Sequence, residues 1–339
     1  MRKILRHGFI FLPALSLLLL PAAAYAQVII IDNVSVCHYV QGNGKLPYGK
    51  APDLDDEKWT ISPSNNTVEI KTGGFVMDDV EVYGGYSDDI VVHDTENEKN
   101  IDAKNNRVTV RGTVEGNVYG GFTFDVGGSA IGNTVVIDGT VLGNVYGGGS
   151  ESGGSSDSGD AVNNTVRITG SPVVSGILYG GETEDGISEG NTLLLESAIT
   201  VAGLRDFQIL SFALPDGTKN GDVMLSVIEM EAQGDTPDSY YGEAVIDGAT
   251  VKIRGDFSSL GIGDKITLID AEKNLEGEPA NRYARRRGFE FHIAKEGGKL
   301  VATLEDRPDT GGCNASGMFG LLSLILLYAL KHRSGKPGK

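Results

Sequence analysis

Three observations predict an all-β chain built as a parallel β-helix, or β-solenoid: an exact hexapeptide repeat, a period-2 alternation of aliphatic residues, and a composition dominated by turn formers. Gly-Asn-Val-Tyr-Gly-Gly stands at Gly116–Gly121 and again at Gly143–Gly148, 27 positions later. The chain has 48 glycines and a single Trp among 339 residues, with Asn, Asp, Thr and Val abundant. Self-similarity at a spacing of tens of residues marks a stacked array.

The hexapeptide belongs to a longer unit. Asn106–Gly121 aligns residue for residue with Asn133–Gly148. Looser copies run from Asn66 to Gly85 and from Asn164 to Gly181, and Asn191-Thr-Leu-Leu-Leu opens a fifth that lacks Tyr-Gly-Gly. In the copy from Asn133, Val135 and Ile137 share one parity while Thr134, Val136 and Asp138 share the other. Val141 and Val145 fall on the inward parity of the next segment. Alternation with β-branched residues predicts half-buried strands, and helical i, i+3, i+4 spacing is absent. Strands this short cannot bury an apolar face alone, but stacked copies form a continuous aliphatic column.

The hexapeptide has its own expected uses. Asn117 and Asn144 suit amide ladders or left-handed corners, and the paired glycines suit positive φ at a turn. Tyr83, Tyr119, Tyr146 and Tyr179 recur at one position of the unit and predict rings stacked from rung to rung. A sugar-binding platform is the other use of such a row. Inserts such as Ser150–Asp160 are expected to loop out and carry any partner contact. Residues 62–201 are therefore read as the solenoid.

Past Ala202 the copies fade, although Ala244–Ile253, Asp264–Asp270 and Phe289–His292 still alternate. Residues 202–305 are read as a β-rich C-terminal cap covering an otherwise open strand edge. Residues 27–61 are read as the N-terminal cap, with Trp59 as its plug. Arg282–Arg287 is the one basic cluster, a solvated or internally paired loop or a contact for acidic glycan.

The ends read as address labels. Arg2, Lys3 and Arg6 precede the apolar stretch Phe9–Leu20 and the small-x-small site ending at Ala26, so 1–26 is a secretory signal peptide cut by signal peptidase. Residues 306–339 end in an apolar run, Ala315–Leu330, followed by Lys331, Arg333, Lys336 and Lys339. Its 16 residues span roughly 24 Å as a helix, a short transmembrane helix held by a basic cytoplasmic end. A buried C-terminal helix is the alternative.

Composition and charge narrow the function. Every one of the 46 acidic residues lies between Gln27 and Thr310, against 22 of the 29 basic ones, so this region carries −24. That charge argues against nucleic acid and against adsorption of this surface to anionic lipid, and it fits a solvated extracellular protein. Two cysteines, Cys37 and Cys313, make no disulfide framework. The five histidines are scattered, and no H-E-x-x-H, C-x-x-C or G-x-S-x-G motif occurs. No catalytic residue, cofactor-binding residue or metal ligand is assigned, and no cofactor is expected. The acidic runs at Asp53–Glu57, Asp78–Asp79 and Asp88–Asp89 read as a solvated face, with weak calcium binding or glycan hydrolysis as alternatives.

Gly311-Gly312-Cys313-Asn314-Ala315 with its apolar run and basic end resembles the Synerg-CTERM sorting signal. The resemblance implies cleavage near Gly312–Cys313 by a rhomboid-like sorting protease and transfer to the cell surface. It leaves Cys313 as lipid-bearing, disulfide-bonded or a free thiol. The repeat pattern, with Asp206–Pro215 and Gly221–Leu225, resembles the passenger region of autotransporter-like surface proteins of Gram-negative bacteria over about residues 62–305. No β-barrel follows here, which is a departure from that family.

Together these readings describe an exported, non-enzymatic protein of the cell surface or outer envelope, its tail transiently in the inner membrane. It is structural or adhesin-like, with host or neighbouring-cell glycans or proteins as candidate partners. A β-helical enzyme acting on extracellular polysaccharide and a released secreted factor are the alternatives.

Overall fold

The computed structural model describes residues 28–36, 40–42, 63–77, 80–88, 102–124, 127–152, 158–230 and 241–307, and these are all-β. Cys37, Trp59, the acidic runs at 53–57, 78–79 and 89, the signal peptide and the tail from 308 lie outside them, as does the expected membrane helix. Among the described residues no helix is long and apolar enough to cross a membrane.

Each rung begins with a strand of an eight-stranded parallel sheet, here the entry sheet. Its strands are Val28–Ile31, Thr67–Ile70, Arg107–Val110, Thr134–Ile137, Thr165–Ile168, Thr192–Leu195, Ile209–Leu214 and Thr250–Gly255. The chain then bends into a five-stranded bridging sheet, for example Thr140–Val141, and into a second eight-stranded sheet, the tyrosine sheet, for example Val145–Tyr146. Equivalent residues face each other in register: Val135 pairs with Val108 and Val166, and Val118 with Val82 and Val145.

The alternating parity is what the core uses. Val135, Ile137, Val141 and Val145 are fully buried, as are Val108, Val110, Val114 and Val118 one rung earlier. Burying each such side chain contributes about 1.5–3 kcal/mol. β-Branched residues at these sites lose little rotamer freedom on a pleated surface, which favours strand over helix.

The inserts do not simply loop out. After Tyr-Gly-Gly the chain forms a strand of a four-stranded sheet (Tyr86–Asp88, Phe122–Phe124, Gly149–Ser150, Glu182–Thr183) and returns through a three-stranded one (Ala103–Lys104, Ala130–Ile131, Ala161–Val162). These two sheets make an outer lobe whose interior is joined by hydroxyls. Thr123 Oγ1 and Ser150 Oγ donate to Gly128 O at 2.7 and 2.8 Å, and Thr183 Oγ1 donates to Gly159 O at 2.8 Å. The insert expected to loop out at Ser150–Asp160 is thus anchored at both its described ends, with Ser150 fully buried and Asp160 N–H donating to Ser129 Oγ.

Stacking also extends beyond 62–201 in both directions. Val28–Ile31, Ser35–Val36 and Val40–Gln41, within the expected N-terminal cap, pair in parallel with Thr67–Ile70, Phe75–Val76 and Val82–Tyr83, so they form the first rung. At the other end parallel pairing continues through Thr250–Gly255 and Asn274–Glu276. There the lobe drops out: Gly203–Arg205 is followed almost at once by Ile209–Leu214. A rung without a lobe has no use for Tyr-Gly-Gly, so the motif fades while the inward parity persists in Leu210, Phe212, Val251 and Ile253, all buried. A closing sheet replaces the bridging one. Ile199–Val201, Val223–Val227 and Lys265–Ala271 run parallel, then Lys299–Asp306, Phe289–Glu296 and Tyr283–Arg286 turn antiparallel and end the stack.

Candidate functional site

The recurring polar and aromatic residues form two columns. The first is a buried asparagine ladder of Asn66, Asn106, Asn133, Asn164 and Asn191, each 1% exposed or less. The backbone N–H of each donates to the side-chain oxygen of the next, at 2.8–3.0 Å from Asn66 through Asn164, and Asn191 N–H ends the series on Gln208 Oε1. From Asn106 to Asn191 the amide Nδ2 also reaches a backbone carbonyl one rung back, such as Asn133 Nδ2 to Ala103 O at 2.8 Å. Such a column satisfies corner backbone groups that would otherwise be buried unpaired.

The ladder expected at Asn117 and Asn144 exists in a lesser form. Asn117 Oδ1 accepts from Asn144 N–H, and Asn144 Oδ1 accepts from Ile177 N–H, both at 2.8 Å, with the side chains only part-buried. Neither residue has positive φ. That conformation falls instead on the residue before each buried asparagine: Asn65, Asn105, Gly132, Asn163 and Gly190.

The paired glycines are a second correction. None of Gly120, Gly121, Gly147 and Gly148 has positive φ, so conformation does not require them. Space does. A Cβ on Gly120 would lie 2.2 Å from Gly147 O, and one on Gly147 would lie 2.4 Å from Gly180 O. The rungs approach closely at this corner, and a methyl group would force them apart.

The second column is the tyrosines. Tyr83, Tyr119, Tyr146 and Tyr179 occupy one register position of the tyrosine sheet. Successive ring centroids are 5.0, 4.3 and 4.6 Å apart, at interplanar angles of 17°, 3° and 9°. Phe122 and Tyr86 from the lobe cover the row from outside, with Phe122 edge-on to Tyr119 at 5.1 Å. The four tyrosines are 6–7% exposed. Each inner ring face lies against another ring, and Gln41 and Arg205 hold the next register positions at the two ends. With no ring face open, this row cannot serve as a stacking platform for sugars, so the seam is a packing device between core and lobe.

Carboxylates line the hydroxyl edge of this seam. Glu81 accepts from Tyr83 OH and from Asn117 Nδ2, and Asn144 Nδ2 donates to Tyr146 OH at 3.1 Å. The Tyr119 hydroxyl makes no hydrogen bond to a described residue. Burial, then the neighbouring Tyr146 and Glu81, holds its pKa well above the ordinary tyrosine value. Glu151 is pushed up by partial burial and by Glu184 and Glu81, while Glu184 accepts from Ser152 Oγ at 2.8 Å. Among the described residues no three His, Cys, Asp or Glu side chains converge as metal ligands do. Two concavities on the surface of the described residues are shallow. One lies at the step between bridging and closing sheets, near Val173, Ile199 and Thr200, and the other at the turn joining Tyr283–Arg286 to Phe289–Glu296, near Arg286 and Arg287.

The processing residues Ala26, Gly311, Gly312 and Cys313 lie outside the described residues. The feature missed in the sequence is the buried asparagine column, although its signal is plain: Asn is the first residue of every copy. The architecture defines a repetitive all-β protein of parallel stacked sheets, the pattern of a β-solenoid. No protein-family model matches the chain, and no curated protein matches it.

Proposed function

We propose that the chain is an exported, non-catalytic protein of the cell envelope whose solenoid displays its lobes away from the membrane. One observation carries the reading: the residues that recur from rung to rung through the lobed part of the stack are spent on closed contacts between rungs, namely buried asparagines, buried tyrosines and glycines at close approach. The lobes are fixed at their described bases and differ in length and sequence beyond them, the arrangement of a scaffold presenting binding loops. The signal-peptide pattern and the Gly-Gly-Cys tail supply the export route and the anchor. Binding to glycans or proteins on a host or neighbouring cell falls to the lobe tips.

Cell fractionation with mass spectrometry of the mature C-terminus tests this. The expected result is envelope-associated chain ending near Gly312–Cys313. Full-length chain in the cytoplasm refutes export, and mature chain wholly in the medium establishes a released factor instead. Turnover of an extracellular polysaccharide that one carboxylate substitution abolishes establishes the enzyme.

A further inference from the structure

The first of the two closing hairpins, Tyr283–Arg286 with Phe289–Glu296, breaks a rule that the rest of the described chain keeps. Its two turn residues, Arg287 and Gly288, both have positive φ, at 50° and 84°. This two-residue turn favours Asn or Asp before Gly, because short polar side chains tolerate the left-handed region. Every other described non-glycine residue with positive φ obeys: Asn33, Asn65, Asn105, Asn163 and Asp206. Only here does a long cation take the place of Asx, at a cost in backbone energy.

The charge around that turn is equally out of character. Residues 282–307 hold seven Lys and Arg against four Asp and Glu, in a chain of net charge −17. Arg285 is paired with Glu290, but the exposed Arg282, Arg286 and Arg287 have no ion-pair partner among the described residues. Register places the turn beside the point where the chain leaves the described fold. Arg285 pairs with Glu290, and Glu290 pairs with Asp306, next to Arg307. From Arg307 the apolar run begins at Ala315. Seven intervening residues span at most about 25 Å fully extended, so a tail anchored in a membrane keeps this turn close to its surface.

Resting on the envelope reading above, we propose that, before the tail is cut near Gly312–Cys313, the arginine turn docks on the anionic, phosphate-bearing headgroup surface of the membrane that the tail enters. Arg282, Arg286, Arg287 and Arg307 supply the contact. The acidic rungs beyond are repelled by the same surface, so the turn holds the stack upright as well as close. Basic residues beside a membrane anchor are the usual means of engaging anionic lipid, and the attraction falls off within a Debye length.

The test compares binding of purified full-length chain to vesicles of phosphatidylcholine with one quarter phosphatidylglycerol and to phosphatidylcholine alone. The apolar run contributes equally to both, and the tail's Lys331, Arg333, Lys336 and Lys339 are the same in every variant, so the change in ratio between variants isolates the turn. The anionic-to-neutral ratio should fall roughly fivefold for Arg287→Asn and roughly thirtyfold for the pair Arg286→Ala with Arg287→Asn, and raised salt should abolish it. Because Arg287→Asn suits the turn, its melting temperature should rise while binding weakens, which separates docking from folding. Arg287→Lys should restore binding. A ratio insensitive to these substitutions overturns the proposal. So does arginine-dependent binding to soluble polygalacturonate with none to the anionic vesicles, which identifies an acidic glycan instead. Failure of the envelope reading itself would appear in the fractionation, leaving this ratio untouched.

Discussion

Replacing Asn133 by Ala tests the buried ladder at its middle. The Asn133 side chain takes part in four hydrogen bonds within a fully buried corner. Its Oδ1 accepts from Asn106 N–H at 2.9 Å and Asn106 Nδ2 at 3.0 Å, and its Nδ2 donates to Ala103 O at 2.8 Å and Asn164 Oδ1 at 3.0 Å. Each contributes about 1 kcal/mol net, and removing one partner leaves the other desolvated and unpaired, so the loss should be about 3–5 kcal/mol. Asn117→Ala removes two bonds at a part-buried site and should cost about 1–2 kcal/mol. Urea unfolding followed by circular dichroism and by tyrosine absorbance gives both values, provided the two probes coincide. A loss below about 2 kcal/mol at Asn133, or one no larger than at Asn117, refutes the account of this column.

Three further substitutions probe the other contacts. Gly120→Ala places a methyl group 2.2 Å from Gly147 O and should cost about 3 kcal/mol. Gly217→Ala, at φ 80° with no atom within 4 Å, should cost only about 1–2 kcal/mol by the same urea assay. Tyr119→Phe should lie within about 0.5 kcal/mol of wild type, because its hydroxyl makes no hydrogen bond to a described residue, whereas Tyr119→Ala should cost about 3–5 kcal/mol. Spectrophotometric titration should find Tyr119 ionising above the ordinary tyrosine value. Since its folded pKa is raised, its contribution is complete below pH 10 and is lost as pH climbs through the folded value. Glu151→Gln should raise the melting temperature at neutral pH. The raised folded pKa of Glu151 means that wild type gains stability as pH falls through that value, with the gain complete below 4.5, and the variant should lack this gain.

Period-2 parity was the most legible feature, because a solenoid core reads each strand on one face only. Val135, Ile137, Val141 and Val145 follow it without exception. The aromatic row was legible for the same reason: parallel in-register stacking puts like on like, so a repeated Tyr is a stacked Tyr. The glycine pairs were misread because a sequence shows that Cβ is absent but not why. Positive φ and close approach leave the same letter, and only the distance from Gly120 to Gly147 O separates them. The lobes were obscured by their chemistry. Strands of two or three residues held by Thr123 and Ser150 hydroxyls are too short to carry a sustained apolar alternation. The late rungs were obscured by the loss of Tyr-Gly-Gly, which serves the seam between coil and lobe and lapses where the lobe does. The arginine turn was visible as composition, but its left-handed Arg287 was not.

Register between neighbouring rungs is the central claim, and cross-linking measures it most directly. With Cys37 and Cys313 replaced by Ser, Thr134→Cys with Thr165→Cys joins residues that pair directly across adjacent parallel strands. Their Cα atoms lie one strand spacing apart, about 4.8 Å, within the range a disulfide spans. Mild oxidation should close this bridge within the monomer, while the offset pair Thr134→Cys with Arg167→Cys should stay reduced. Equal oxidation of the two pairs, or failure of the first alone, would contradict a stack in which each rung repeats the one before it.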